Sequence, residues 1–208
     1  MFYRIDNFVI RSPWSFRKPK TGEDCLVLKS GRSFPPTHPS TRAALTILNR
    51  LPIKKEAKIL DIGCGSGILG LSAALKNKGR VVGCDICPRA IQATGHNVCL
   101  NRMEDRFHFF RGSTEAVTGP FDLILANLHA VIHRELFDHY QRLLPREGDL
   151  LVVSGFFDVH AGEVQKALTQ RGFKVIERVQ VYASAPVLAE ALSDTWVGFG
   201  FKRVAGLL

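Results

Sequence analysis

No stretch of this chain reaches the roughly 18 consecutive apolar residues that a membrane-spanning helix needs. Its start, MFYRIDNFVIRSPW, has Arg4, Asp6 and Arg11 where a secretory leader would carry an apolar segment, which predicts a soluble, cytoplasmic protein with no membrane partner. Cysteines are few: five, an odd number without framework spacing, which excludes a disulfide scaffold. Cys25, Cys64, Cys84, Cys87 and Cys99 read as reduced core thiols. Cys84 and Cys87 form a CxxC pair, but zinc would need two more ligands at matching spacing, and a redox pair would open a helix in a thioredoxin-like unit. Internal repeats and low-complexity tracts are also missing. Acidic residues are scarce, 19 against 28 Lys and Arg, for a formal charge of +9. The scarcity is local. Residues 1–58 hold 12 basic against 4 acidic side chains, a net of +8, whereas residues 59–208 hold 16 against 15. The basic region either meets RNA, a ribosome or an acidic protein, or is a solvated face.

What the chain does have is one domain's worth of core. It has 208 residues, 46% apolar and 23% charged, which fits one globular domain with an appendage. From Lys58 onward, short β-branched runs alternate with Gly- or Asp-rich turns and amphipathic stretches, the pattern of parallel strands with crossover helices. The strand-like runs are KILDI (58–62), RVVGC (80–84), FHFF (107–110), FDLILAN (121–127), DLLVVSG (149–155), FKVIERVQVY (173–182) and TWVGFGFKR (195–203). Helices are predicted near 66–77, 88–101, 129–143 and 158–171, the second with Pro88 in its first turn, where the missing N–H costs nothing. The last two runs read as a closing hairpin around ASAPVLAEALSD, a loop or a helix. Residues 37–51 have helical spacing, while 1–36 read as a basic arm ahead of a domain spanning 37–208.

The strongest local signal is KILDIGCGSGILGLSAAL: a strand ending at Asp61, a loop with Gly63, Gly65 and Gly67, and a helix from about Ser66. Glycines there let backbone approach a ligand beyond the strand ends, and the free N–H groups of a helix start favour an anionic group. A dinucleotide pyrophosphate and the carboxylate of a methionine both suit that position. Spacing separates them, because the dinucleotide fingerprint is GxGxxG and the residue three beyond Gly65 is Ile68. Asp85, ending the next strand in VVGCDICP, is placed to accept from both ribose hydroxyls of an adenosine. Turn glycines and a helix-capping Asp are the plainer alternative.

Together these blocks resemble the Rossmann-like S-adenosylmethionine methyltransferases. They are most similar to the ribosomal-protein methyltransferase family that modifies large-subunit protein L11, over Gly31 to Arg203. The similar blocks are LDIGCGSGILGLSAALK, VVGCDICPRAI with Asn97 and Asn101 downstream, FDLILANLHAVI, LLVVSGFF and WVGFGFKR. The resemblance implies an α/β, doubly wound, seven-stranded, mostly parallel sheet of order 3-2-1-4-5-7-6 with its last strand antiparallel. It implies S-adenosylmethionine as cofactor, with Asp61, Gly63, Cys64, Gly65, Ser66 and Gly67 around the methionine moiety, Asp85 on the ribose and Ile86 beside the adenine. Ser113 and Thr114 correspond to the adenine edge, unless they form a solvated turn. Thr37 and His38 match a Thr and a His of a family loop that reaches the cofactor, but Pro35 and Pro36 stand where that loop has glycine-bearing residues, so the backbone cannot follow the same trace. The family's small substrate-binding domain has no counterpart in 1–36, so the acceptor is not inherited with the fold.

Methyl transfer from a sulfonium is an in-line displacement that needs alignment more than catalytic side chains. Asn127, in the string Ala126-Asn127-Leu128-His129, matches the family's acceptor motif; it offers a carbonyl to orient an amine, or else it caps the next helix. His129 could pack on the acceptor or take its proton, or be helix surface. His129 and His133 stand four apart as a zinc pair would, without a third ligand, and no metal is expected. The functional expectation is an N-methyltransferase of a ribosomal or other protein. A small-molecule or RNA methyltransferase is the alternative, as is a cofactor-retaining module that docks RNA through residues 1–58.

Overall fold

A computed structural model describes residues 1–29, 35–183 and 193–205. Three short strands come first, β1 (Phe2–Ile5), β2 (Phe8–Arg11) and β3 (Asp24–Val27), followed by α1 (Pro39–Arg50). Strands and helices then alternate: β4 (Lys58–Ile62), α2 (Ile68–Asn77), β5 (Arg80–Asp85), α3 (Pro88–Leu100), β6 (Phe107–Arg111), β7 (Leu123–Asn127), α4 (Ala130–Leu143), β8 (Leu150–Phe157), α5 (Ala161–Gln170), β9 (Phe173–Tyr182) and β10 (Thr195–Arg203). Between β6 and β7 the chain makes only a single 3-10 turn, Thr114–Ala116.

The main sheet has the order β6-β5-β4-β7-β8-β10-β9, with β4 to β8 parallel and β10 antiparallel to both neighbours. Counted from β4, that is 3-2-1-4-5-7-6, the expected topology. Period-two alternation divides the strand side chains between two cores. Ile59, Leu123, Leu125, Leu150 and Val152 face one core together with Leu45, Leu48, Leu69 and Leu71 of α1 and α2. Leu60, Ile124, Ala126, Leu151 and Val153 face the other with Phe137, Tyr140, Val164 and Leu168 of α4 and α5. The segment 183–194, a loop or a helix by its sequence, falls largely outside the described residues.

The N-terminal segment differs from a free arm. β1, β2 and β3 form a separate sheet, β1 antiparallel and β3 parallel to β2. Ile5, Phe8, Ile10, Leu26 and Leu28 are buried in the same core as α1 and α2. Asn101 of the α3 C-cap accepts from the Val27 N–H at 2.9 Å and donates to the Val27 carbonyl at 2.8 Å, and buried Asn97 accepts from the Lys29 N–H at 2.8 Å. Strands of four residues are too short for their periodicity to show, so this docking was not visible in the sequence.

Not all of the cysteines are the core thiols expected from the sequence. Cys64 and Cys84 are core residues and Cys25 is half-buried, but Cys87 and Cys99 are exposed.

Candidate functional site

The carboxyl ends of β4, β5, β6 and β7 open into a cleft of about 1180 Å³. Parallel strands end on one side of the sheet and their loops gather there, which is where ligands sit in open α/β folds. Asp61, Gly63, Cys64, Gly65, Ser66, Asp85, Ile86, Ser113, Thr114 and Asn127 all line this cleft. The sequence-derived residues thus converge from four strand ends.

The loop after β4 is bent by its own hydrogen bonds. The Gly63 and Cys64 N–H groups both donate to the Cys84 carbonyl, and Gly67 N–H closes a turn on the Cys64 carbonyl at 2.7 Å. Gly63, Gly65 and Gly67 have φ of 65°, 57° and 78°, a left-handed backbone that only glycine adopts cheaply. A Cβ on Gly63 would clash with Leu128 Cδ2, whereas one on Gly65 would meet nothing closer than 3.8 Å, because Gly65 faces the cleft. Gly67 has another task. It caps α2 and packs on Thr94, Leu71 and Phe107 outside the cleft walls. The first turn of α2 leaves the N–H groups of Ile68 and Leu69, both cleft residues, without an intrahelical acceptor.

Asp61 is 2% exposed and its Oδ2 accepts the Gly70 N–H at 2.9 Å. Burial pushes its carboxyl up to about 7; the Gly70 bond offsets part of this and the charge of Asp85 adds to it. Asp85 is half-buried: Oδ2 accepts from Gly65 N–H at 3.0 Å and Oδ1 from Cys87 N–H at 2.9 Å, so each oxygen keeps lone-pair capacity toward the cleft. Burial also holds the Cys64 and Cys84 thiols protonated, the latter pushed up to about 12.

On the other side Asn127 ends β7. Its Nδ2 donates to Thr41 Oγ1 at 3.3 Å, while its Oδ1 is buried with no hydrogen-bond partner among the described residues. Asn127 does not cap α4. That place belongs to His129, which makes no side-chain cap bond. The Leu128 N–H bonds to the Ser154 carbonyl at 2.9 Å, Leu128 lines the cleft, and His129 is exposed and outside the cleft walls. Its partner in the supposed zinc pair is buried: His133 Nδ1 meets Tyr140 Oη at 2.8 Å, Nε2 meets the Ser154 carbonyl at 2.9 Å, and burial pushes its pKa down to about 4.

Thr37 and His38 do not line the cleft. His38 caps α1, accepting from Ser40 N–H at 3.3 Å, and its ring stands edge-on to Trp196 at 4.6 Å. One turn later Thr41 reaches the wall instead, which sequence reasoning missed. Also missed were Leu128, Ile132, Glu135, Leu136 and His139. The spacing of three and four residues among the last four, all on α4, is the signal that could have found them. Thr114 is 1% exposed, its Oγ1 2.9 Å from His139 Nδ1, which makes it a link to α4 and not a solvated turn; Ser113 is exposed at the rim.

A seven-stranded sheet with one inserted antiparallel strand, a glycine loop after its first strand and an acid ending its second define the Rossmann-like methyltransferase fold. Within that class, the chain belongs to the ribosomal protein L11 methyltransferase family, whose family model matches residues 3–183. It is 36% identical over 199 residues to the ribosomal protein L11 methyltransferase of Thermus thermophilus, covering 94% of this chain and 71% of that protein. It is 31% identical over 180 residues to the one of Helicobacter pylori strain HPAG1, covering 83% of this chain and 52% of that protein. The chain therefore spans about half the length of the Helicobacter relative. A crystal structure of a ribosomal protein L11 methylase from Lactobacillus delbrueckii subsp. bulgaricus superposes with a TM-score of 0.82 at 23% identity, over 97% of this chain and 98% of that one.

Proposed function

We propose that the chain is an S-adenosylmethionine-dependent N-methyltransferase acting on a ribosomal protein of the large subunit. The observation that carries this is the orphaned Asn127 Oδ1, a buried acceptor beside a cleft large enough for a nucleoside cofactor and an acceptor side chain. A buried acceptor without a partner costs about 1–3 kcal/mol, so such a group in a wall is a place for a ligand N–H.

The remaining groups fit the cofactor. Asp85 would take the ribose hydroxyls on its free lone pairs and Ile86 would lie against the adenine, with Ser113 and Thr114 at the adenine edge. The N–H groups of Ile68 and Leu69 suit the methionine carboxylate, and Asp61, raised in pKa by burial, suits its ammonium. When bound, S-adenosylmethionine supplies an electrophilic methyl on a sulfonium.

Asn127 then accepts a hydrogen bond from the acceptor amine, which directs the nitrogen lone pair along the line of transfer. Thr41 Oγ1 accepts from the Asn127 Nδ2 at 3.3 Å and so tethers the amide at the cleft wall. Leu128, Ile132 and Leu136 provide an apolar wall that excludes water and favours an uncharged amine. Of the two residues expected at the acceptor, Asn127 lines the cleft and His129 lies outside its walls. Residues on both sides of position 36 share one core.

The test is transfer of labelled methyl from the cofactor to purified large-subunit proteins by the native chain and by Asn127→Ala. Label on one ribosomal protein, lost in the variant while cofactor affinity holds, supports the reading. Label on RNA or on small molecules alone overturns the acceptor assignment.

A further inference from the structure

The loop joining β2 to β3 is not used by the proposed methyl transfer, yet it combines exposed aromatic rings with exposed cations. Residues 11–22, RSPWSFRKPKTG, carry Arg11, Arg17, Lys18 and Lys20 and no acid. Trp14 is 73% exposed and Phe16 is 100% exposed. Arg17, Lys18 and Lys20 are exposed as well, and among the described residues no salt bridge involves any of the four cations.

This loop is held at both ends. Ser12 N–H donates to the Met1 carbonyl at 3.0 Å, Ser15 N–H to the Ser12 carbonyl at 3.1 Å, and the Arg11 guanidinium to the Ser15 carbonyl at 3.4 Å. At the far end Glu23 accepts from Lys20 N–H and pairs with Arg4 at 2.7 Å. The aromatic rings are thus presented from an anchored turn. Its near end adjoins the cleft: the Leu28 N–H donates to the Arg11 carbonyl at 2.8 Å, and the next residue, Lys29, lines the cleft.

A solubilising loop has no use for two bare aromatic rings, and an apolar partner would have to bury three exposed cations along with them, of which Arg17 has only the Phe2 ring beneath it at 5.8 Å. A ligand with flat apolar faces strung on a polyanion meets both requirements. We infer that the β2–β3 loop binds a single-stranded nucleic acid, Trp14 and Phe16 stacking on bases while Arg17, Lys18 and Lys20 pair with phosphates. This site is separate from the cofactor cleft and does not depend on the methyl-transfer reading.

The test is fluorescence anisotropy of the whole chain with a labelled single-stranded RNA about twelve nucleotides long. Binding is expected to weaken as salt rises, with a log–log slope of about 0.7 per neutralised phosphate. The pair Lys18→Ala and Lys20→Ala should reduce that slope by up to about 1.4. The pair Trp14→Ala and Phe16→Ala should leave the slope alone and weaken binding about tenfold or more. All four side chains are exposed, so melting temperatures should hold, and cofactor affinity should be unchanged. Equal affinity for duplex RNA, an aromatic pair variant that binds like the native chain, or preference for polyglutamate over RNA would each overturn the inference, the last in favour of an acidic protein partner.

Discussion

Two buried titratable residues pull the stability of this protein in opposite directions with pH. Asp61 is raised from its ordinary value to about 7, so the folded state holds a proton that the unfolded chain releases near pH 4, and stability falls as pH rises through that window. His133 is lowered to about 4, so the unfolded chain takes up a proton near pH 6.5 that the folded state refuses, and stability falls as pH drops toward 4. The effects are on the order of 4 kcal/mol for Asp61 and 3 kcal/mol for His133, and the windows overlap. These two slopes should largely cancel in the native chain. Asp61→Asn should therefore melt higher than the native chain at pH 8 and show a marked loss of stability on acidification from about pH 6.5 to 4, measured by calorimetry. A flat profile in the variant would mean that His133 is not held neutral. The same carboxyl shapes ligand binding: a cofactor ammonium should restore its charge, so affinity should rise with pH through about 7, and this rise should vanish in Asp61→Asn. Asp85→Ala should weaken the cofactor at least tenfold by titration calorimetry, from about 1.5–3 kcal/mol of charge-assisted hydrogen bonding. Part of that loss would come through the Gly65 amide that Asp85 also holds.

Secondary structure was legible because each main-sheet element carries its own signal. KILDI, FKVIERVQVY and TWVGFGFKR form strands over the residues read from sequence, and Pro88 opens α3. Site residues at strand ends followed from the same reading, since a strand-terminal acid has only one place to go. What failed were residues whose position depends on a turn. Leu128, its N–H bonded to the Ser154 carbonyl, lines the cleft and His129 does not, and His38 caps α1 with its ring against Trp196. The small sheet was missed because its partners, Asn97 and Asn101, lie about 70 residues away in sequence. Phe8 provides its check. It is fully buried, so Phe8→Ala should cost about 3–5 kcal/mol in urea denaturation, whereas a free arm would tolerate it.

At the scale of the whole molecule, the small sheet and the cofactor loop share one residue. Asn97 is fully buried; its Oδ1 accepts from Lys29 N–H at 2.8 Å and its Nδ2 donates to the Ser66 carbonyl at 2.9 Å. Ser66 sits in the glycine loop, and Lys29 follows the last strand of the basic segment. A ligand that fixes the Ser66 backbone fixes the Asn97 amide, and through it the end of β3. Because β1–β3 also share a core with α1 and α2, the chain should unfold as one unit, with amides of β2 and β4 exchanging at the same free energy. Saturating cofactor at about 100 times its dissociation constant should add about 2.7 kcal/mol of protection to both sets equally. Replacing Asn97 with Ala should separate them, leaving β4 under cofactor protection while β2 and β3 exchange faster. Hydrogen exchange with mass spectrometry distinguishes the cases: β2 amides that exchange independently of β4 in the native chain would show two folding units, and no Asn97 effect would mean that the shared core, not this amide, joins them.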